Sequence, residues 1–238
     1  MNRVALIAAL VAASAGAVSA DYDLSLTVLT YGEEGWHEWT LTPQGEPGAD
    51  GSVHYAGDWT ASTGAWWCQW DIAAKADPYV SANITFRNTM PTPQIYTVIV
   101  TQPIFPPILP STLIGGSTGG SLTDTNSNGA GFVKTAFGEP LYMGRLDGIG
   151  VLPIYPDPTA FNIAFAGQTV TIPALNPGLP GPTIPSIAVY SSISIMHQFE
   201  LSPGDSVGFT SYFVAEVPEP AAAILLGLGG LALLRRRR

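Results

Sequence analysis

The sequence predicts an all-β protein, an antiparallel β-sandwich of jelly-roll or immunoglobulin-like type, in the segment 21–216. In several short segments, apolar and polar residues alternate with a period of two. This is the pattern of strands with one buried face. Gly, Pro, Asn and Asp separate these segments, and no apolar repeat at helical spacing is sustained between them. We therefore expect one domain of about ten to twelve strands.

The alternation predicts which side chains of each strand face the core. Successive side chains of a strand point to opposite faces, so every second residue shares one environment. The predicted inward-facing sets are Leu24, Leu26 and Val28; Val80, Ala82, Ile84 and Phe86; Phe161, Ile163 and Phe165; and Val207, Phe209 and Phe213.

Two proline-rich segments interrupt this pattern. Gln102–Pro110 carries four prolines and is followed by the glycine-rich run Gly115–Gly120. We expect a stiff surface crossing between two sheets that ends in a flexible loop. Pro173–Pro185 contains five prolines. Because proline cannot donate a backbone hydrogen bond, this segment cannot form a central strand.

The N-terminal segment 1–20 has the pattern of a secretory signal peptide. Arg3 supplies the positive start, an apolar run follows from Val4 to Val11, and small residues end the segment at Ala20. We predict export through the general secretion machinery and cleavage by signal peptidase between Ala20 and Asp21. Since Cys68 is the only cysteine, the exported domain has no internal disulfide.

The C-terminal segment 217–238 contains three successive signals. Val217, Pro218, Glu219 and Pro220 form a proline-bracketed motif, which is expected to be extended. The apolar run 221–234 carries no charge, and in lipid it can satisfy its backbone only as a single transmembrane helix. The chain closes with a cluster that is retained on the cytoplasmic side of a membrane, namely Arg235, Arg236, Arg237 and Arg238.

This order of motif, apolar helix and arginine cluster resembles the PEP-CTERM sorting domain of exported proteins of Gram-negative bacteria. The resemblance covers the C-terminal tail alone. It implies an exosortase, a membrane-embedded protease that recognises the tail and cuts near Pro218, Glu219 and Pro220. It also implies transient anchoring in the inner membrane, then delivery to the cell surface or to an extracellular, exopolysaccharide-containing biofilm matrix. The implied role is structural or adhesive.

The charge of the exported segment limits its partners. Between Asp21 and Val217 there are four basic and seventeen acidic side chains, a net charge of −13. Such a chain repels polyanions, so we expect no nucleic acid partner.

All six tryptophans lie between Trp36 and Trp70. In the segment 65–72, alternation places Trp66, Cys68 and Trp70 on the apolar face and Trp67 on the polar one. An exposed indole can stack on the C–H face of a sugar ring. One alternative function is therefore a carbohydrate-binding module with a platform of Trp36, Trp59 and Trp67. Ordinary packing of these indoles beneath a loop or a second sheet is the other interpretation.

The segment 124–129 matches the first half of a calcium-binding loop, with oxygen ligands at Asp124, Asn126 and Asn128. The second half is missing, because Thr135 stands where the bidentate glutamate belongs. Asn and Gly are also the residues that a tight turn requires. Both a simple turn and a turn with Ca²⁺ remain open, and no other cofactor is predicted.

Catalytic patterns are weak, and we predict that the protein is not an enzyme. Ser117 lies in a G-x-S-x-G segment, and Asp147 or Asp157 followed by His197 completes the order of a secreted hydrolase. No helix follows this serine, as a nucleophile elbow requires, and His197 alternates with apolar residues of a strand. His37 and His54 have no third ligand at a spacing typical of zinc sites.

Overall fold

A computed structural model describes residues 24–32, 35–75 and 78–217. These residues form sixteen β-strands and no helix, so the described chain has no helical segment of the length and apolarity that crossing a membrane requires. The predicted signal peptide 1–20 and the sorting tail beyond Val217 lie outside the described residues.

The strands belong to two antiparallel sheets of eight strands each. Sheet A contains β1 (Ser25–Gly32), β2 (Gly35–Leu41), β7 (Gln94–Pro103), β9 (Gly131–Lys134), β10 (Tyr142–Leu146), β11 (Ile149–Ile154), β12 (Ala160–Ile163) and β15 (Ser192–Leu201). Sheet B contains β3 (Glu46–Pro47), β4 (Ser52–Thr60), β5 (Trp66–Lys75), β6 (Tyr79–Asn88), β8 (Ile108–Thr123), β13 (Thr169–Leu175), β14 (Ile184–Val189) and β16 (Ser206–Glu216). The prediction of an all-β antiparallel fold is confirmed.

In sheet A the order is β11-β10-β15-β7-β1-β2, and β9 joins the end of β15 and carries β12. In sheet B the order is β13-β8-β16-β6-β5-β4-β3, with β14 also paired to β8. The inner faces of both sheets contribute to one hydrophobic core. Aromatic rings connect the layers, as where Phe86 of sheet B contacts Tyr96 of sheet A with ring centroids 4.8 Å apart.

The alternation of buried residues agrees with the predicted inward-facing sets in β1, β6 and β16. One member of the predicted sets is wrong. β12 ends at Ile163, and Phe165, in the loop that follows, is 71% exposed. Three apolar residues in alternation can therefore be a weaker signal than four, because a short edge strand can end before the last of them.

The segment after the proline-rich crossing differs from its prediction. The crossing itself, residues 104–107, does lead from β7 in sheet A to β8 in sheet B. Gly115–Gly120, however, is not a flexible loop: it lies in the middle of β8, paired with β16 along its length on one side and with β13 at Thr118 and Gly120 on the other. Close packing requires these glycines, since a Cβ on Gly116 would lie 2.8 Å from the Tyr142 hydroxyl oxygen.

The second proline-rich segment forms two edge pieces, as its composition requires. β13 and β14 pair only with β8 and are separated by residues 176–183. Such short pieces explain why the described chain has sixteen strands rather than the ten to twelve expected. The assignment of this topology to the jelly-roll or immunoglobulin-like type stays a prediction.

Candidate functional site

The structure separates the three tryptophans of the predicted sugar platform. Trp59 packs against the core on the inner side, and its ring meets Trp39 and Trp66 edge to face at centroid distances of 6.2 and 5.2 Å. Trp67, on β5, belongs to the outer face of sheet B, and Trp36, on β2, belongs to the outer face of sheet A. No single surface therefore contains all three rings.

Trp66, Cys68 and Trp70 have the core positions that the alternation predicted. Trp66 and Cys68 are each 1% exposed, and Trp70 is 8% exposed. Burial raises the pKa of the Cys68 thiol far above its ordinary value, so this thiol stays protonated. Trp39 and Trp59 lie where the strands β2 and β4 approach each other, and with Trp66 they fill that side of the core.

The outer face of sheet B carries a polar groove of about 460 Å³ near Trp67. The groove begins two residues beyond Trp67 on β5. Its polar lining consists of Asp58, Gln69, Asp71, Asn83 and Thr85. Trp67 itself is half-buried and lies directly opposite Thr60 on β4 and Arg87 on β6. This arrangement supplies hydrogen-bonding groups without an exposed aromatic ring over them.

Trp36 is 59% exposed and lies in an aromatic cluster of which the sequence pattern predicts Trp36 alone. Tyr31 is its direct partner on β1, with ring centroids 5.0 Å apart. Phe137, from the loop after β9, stacks on Trp36 at 5.8 Å with an interplanar angle of 28°. The hairpin spacing of Tyr31 and Trp36 could have revealed their pairing, whereas Phe137 is distant in sequence and gave no signal.

The predicted calcium loop is closed by backbone N–H groups that donate to its own side-chain oxygens. The Asp124 carboxylate, 3% exposed, accepts N–H bonds from Gly129 at 2.9 Å and from Gly167 at 3.0 Å. Burial alone would raise the pKa of Asp124, but these N–H donors outweigh it and hold the pKa below its ordinary value. Asn126 and Asn128 accept bonds from the backbone N–H groups of Asn128 and Ala130.

A second carboxylate lies close to this turn. Asp205 is fully buried, and one of its oxygens has no hydrogen-bond partner. Burial raises the pKa of Asp205, and the negative charge of Asp124 adds to that effect, while a bond from the Ser202 hydroxyl opposes it. Within the described ranges, no group of three or more His, Cys, Asp or Glu side chains is arranged to hold a metal ion. Calcium binding at Asp124, Asn126 and Asn128 stays a prediction.

The residues of the hydrolase pattern are not brought together. Ser117 lies in β8 opposite Tyr212, and alternation places its side chain on the opposite face from Thr118. His197 is 1% exposed, and its Nε2 lies 2.8 Å from the Ser211 hydroxyl, which lies 2.9 Å from the hydroxyl of Thr118. His197 therefore belongs to a buried polar network between the sheets.

The two aspartates of that pattern stabilise loops. Asp147 accepts hydrogen bonds from the backbone N–H groups of Tyr190, Ser191 and Ser192. Burial alone would raise the pKa of Asp147. The hydrogen bonds to its carboxylate outweigh this effect and hold the pKa below its ordinary value. Asp157 accepts a bond from the Thr135 hydroxyl.

The histidines considered for zinc are also apart. His37 lies on β2 of sheet A and contacts the ring of Trp39. His54 lies on β4 of sheet B, and its Nε2 is 3.0 Å from the Ser52 hydroxyl. The two side chains therefore belong to different sheets and do not share a site.

Comparison with known proteins identifies the tail. Residues 216–238 match the PEP-CTERM protein-sorting motif, which confirms the resemblance drawn from Pro218, Glu219, Pro220 and the arginine cluster. The motif implies an exported protein that is processed by an exosortase. No curated protein matches the chain.

Proposed function

We propose that the protein is delivered to the cell surface or extracellular matrix, where its β domain has a structural or adhesive role in association with exopolysaccharide. The observation that carries this proposal is the match of residues 216–238 to the PEP-CTERM sorting motif. The predicted signal peptide 1–20 supports it, because export must precede sorting at the C-terminus. The arginine cluster 235–238 would hold the chain in the inner membrane until the exosortase acts.

The intact mass of the protein recovered from the surface or medium of its host tests this proposal. We expect a chain that starts at Asp21 and lacks residues 221–238, because both signals are removed during export and sorting. Surface-exposed protein that retains the arginine cluster would contradict the proposal.

Two variants separate the roles of the tail. Replacing Pro218, Glu219 and Pro220 by alanine should leave uncleaved protein in the inner-membrane fraction, because the helix still anchors the chain. Replacing the four arginines by glutamine should release full-length protein into the periplasm, since nothing then retains that end inside. Both variants can be detected in cell fractions through an epitope inserted at Gly181, which has open space around it. Trimming of the alanine variant like the wild type would exclude the motif as the recognition element.

We further infer a binding or structural protein rather than an enzyme. The geometry that supports this inference is the separation of Ser117 from the buried His197–Ser211 network. A Ser117→Ala variant tests it with a panel of ester and peptide substrates. We expect no substrate that the wild type turns over and the variant does not; such a substrate would favour the hydrolase alternative.

A second candidate function, carbohydrate binding, is favoured by the exposure of Trp36 beside two other aromatic rings. It is compatible with the first, because adhesion to an exopolysaccharide requires a surface that recognises sugars.

A further inference from the structure

One row of residues crosses the outer face of sheet A over six adjacent strands. In this row each residue lies directly opposite the next. Neighbouring strands lie about 4.8 Å apart, so the row is about 24 Å long. The row consists, from β2 to β12, of Trp36, Tyr31, Ile95, Glu200, Lys134 and Ala160.

The Trp36 end of the row is aromatic and the other end is polar. Tyr31, Trp36 and Phe137 are 38%, 59% and 56% exposed, although large apolar side chains in the described chain are mostly buried. At the polar end, Lys134 Nζ lies 3.0 Å from Glu200 Oε2 and 5.1 Å from the ring centre of Phe132. These contacts hold the ammonium and carboxylate groups at the surface, where both can still reach a ligand.

A groove of about 380 Å³ follows the row between these ends. Its floor is formed by Ile95, Glu200, Lys134 and Ala160, and two loops form its walls. One wall is Thr135–Phe137, after β9, and the other is Asp157–Thr159, before β12. The groove is therefore bounded by the exposed ring of Phe137, by threonine hydroxyl groups and by the carboxylates of Asp157 and Glu200, and Phe137 connects it to Trp36.

The two walls are fixed in place by hydrogen bonds. The Thr135 N–H donates to the Thr159 carbonyl at 2.9 Å, and the Thr159 N–H donates to the Thr135 hydroxyl at 3.1 Å. The buried Gln198 side chain donates to the Ala136 carbonyl at 3.0 Å and accepts a bond from Thr97. A rigid groove loses little conformational entropy when a ligand binds.

Phe137 is held outward by a strained backbone. Its φ angle is +57°, in the left-handed region that bulky residues rarely adopt, and Gly138 follows at +78°. A glycine at position 137 would relieve this strain, and the ring remains more than half exposed. The backbone conformation does not favour a phenylalanine here, but its ring contacts those of Tyr31 and Trp36 at the surface, and the exposed part of this cluster is open to a ligand.

We propose that this groove binds a neutral polysaccharide built of pyranose rings. The rings of Trp36 and Phe137 would stack on the C–H faces of sugars, while Asp157, Glu200 and Lys134 would bind their hydroxyl groups. The net charge of −13 between Asp21 and Val217 disfavours uronate-rich or sulfated chains. The length of the row accommodates several sugars of one chain. This inference rests on the proposed association with exopolysaccharide and names its site and ligand class.

The test is affinity electrophoresis of the full protein purified from its host, in gels that contain mixed-linkage β-glucan, galactomannan or alginate. We expect at least one neutral polymer to retard the protein and alginate to have no effect. Trp36→Ala should weaken this binding at least about tenfold. The matched control is Phe165→Ala, which removes a still more exposed ring outside the groove and should bind as the wild type does.

A second variant, Phe137→Gly, separates binding from folding. It removes the ring but suits the left-handed backbone, so it should weaken binding while the thermal midpoint is retained or raised. Three results would overturn the inference: retardation by neither neutral polymer, retardation by alginate alone, or retardation of Trp36→Ala and Phe137→Gly equal to that of the wild type. A dimer interface is the competing explanation for the aromatic cluster. It would replace the inference if the wild type bound no glycan but self-associated in sedimentation, and Trp36→Ala abolished that self-association. Processing of the tail is measured separately by intact mass, so either proposal can fail alone.

Discussion

The outer faces of the two sheets carry similar functional groups in different arrangements. On sheet B, Asp58, Asp71 and Gln69 line a groove formed by side chains of adjacent strands, and Trp67 beside it is half-buried. On sheet A, two loops wall a groove that leads to exposed aromatic rings, and Trp36 is 59% exposed. Composition alone does not distinguish these faces, since each has a tryptophan and carboxylates.

The difference shows what such residues require in order to form a ligand site. A side chain on a regular strand is surrounded by its cross-strand neighbours, which cover part of its surface, as Thr60 and Arg87 flank Trp67. Loops can present rings and carboxylates at angles that a flat sheet cannot. On sheet A, the loops after β9 and before β12 present such side chains along the groove. Among the described residues, no loop lines the groove of sheet B.

The largest expected effect concerns the network that connects the sheets behind both faces. Burial lowers the pKa of His197 to about 4, against 6.5 for a free histidine, although a hydrogen bond to the Leu141 carbonyl partly opposes this. Between these values the unfolded chain binds a proton that the folded chain does not. The free energy of unfolding should therefore fall by about 3 kcal/mol as the pH drops from 6.5 to 4.

Denaturant unfolding of the wild type and of His197→Gln across this pH range measures the effect. The variant should be less stable at neutral pH but should show a flatter pH dependence, because it lacks the titrating group. Asp205 acts in the opposite direction, since its pKa is raised and its native form holds a proton more tightly. Because both proteins retain Asp205, the difference between their slopes isolates His197. Identical slopes would show that His197 is not buried in this way.

A smaller effect is expected from the glycine run of β8, the strand that holds sheet B together. A Cβ on Gly120 would overlap the carbonyl oxygen of Gly208, which is backbone and cannot move aside. Gly120→Ala should therefore lower the free energy of unfolding by about 2 kcal/mol. In Gly208→Ala the new methyl would meet nothing closer than 3.5 Å, so this matched variant should be nearly neutral. Equal stabilities of the two variants would contradict the strand assignment of Gly115–Gly120.

The glycine run also shows where the sequence is informative and where it is not. The four apolar residues that alternate from Val80 to Phe86 correctly predicted a strand and its buried face. A period of two sustained over this length is typical of a strand and does not fit a helix. A glycine run has no side-chain pattern, so its extended state depends on strands β13 and β16, which are distant in sequence.

The candidate site likewise has one part that the local sequence predicts and another that depends on strands distant in sequence. Trp36 could be singled out because its residue type and polar surroundings are local properties. The groove next to it could not be predicted, because Phe137, Asp157 and Glu200 come from three separate parts of the chain and meet only through the pairing of β9, β12 and β15. The PEP-CTERM sorting motif could be recognised from the sequence, since its residues are contiguous.

The smallest expected effect is that of Trp67→Ala on glycan binding, and it decides between the two faces. If the exposed aromatic rings of sheet A provide the stacking surface, removal of Trp67 should change the affinity for a neutral polysaccharide by less than about twofold, because its half-buried ring has little free area. The thermal midpoint should fall slightly, since the indole packs beside Thr60 and Arg87. Trp36→Ala and Trp67→Ala, compared by affinity electrophoresis in the same gel, measure this directly. If Trp67→Ala abolishes retardation while Trp36→Ala binds normally, sugars bind the polar groove of sheet B, and the aromatic cluster of sheet A has a different role.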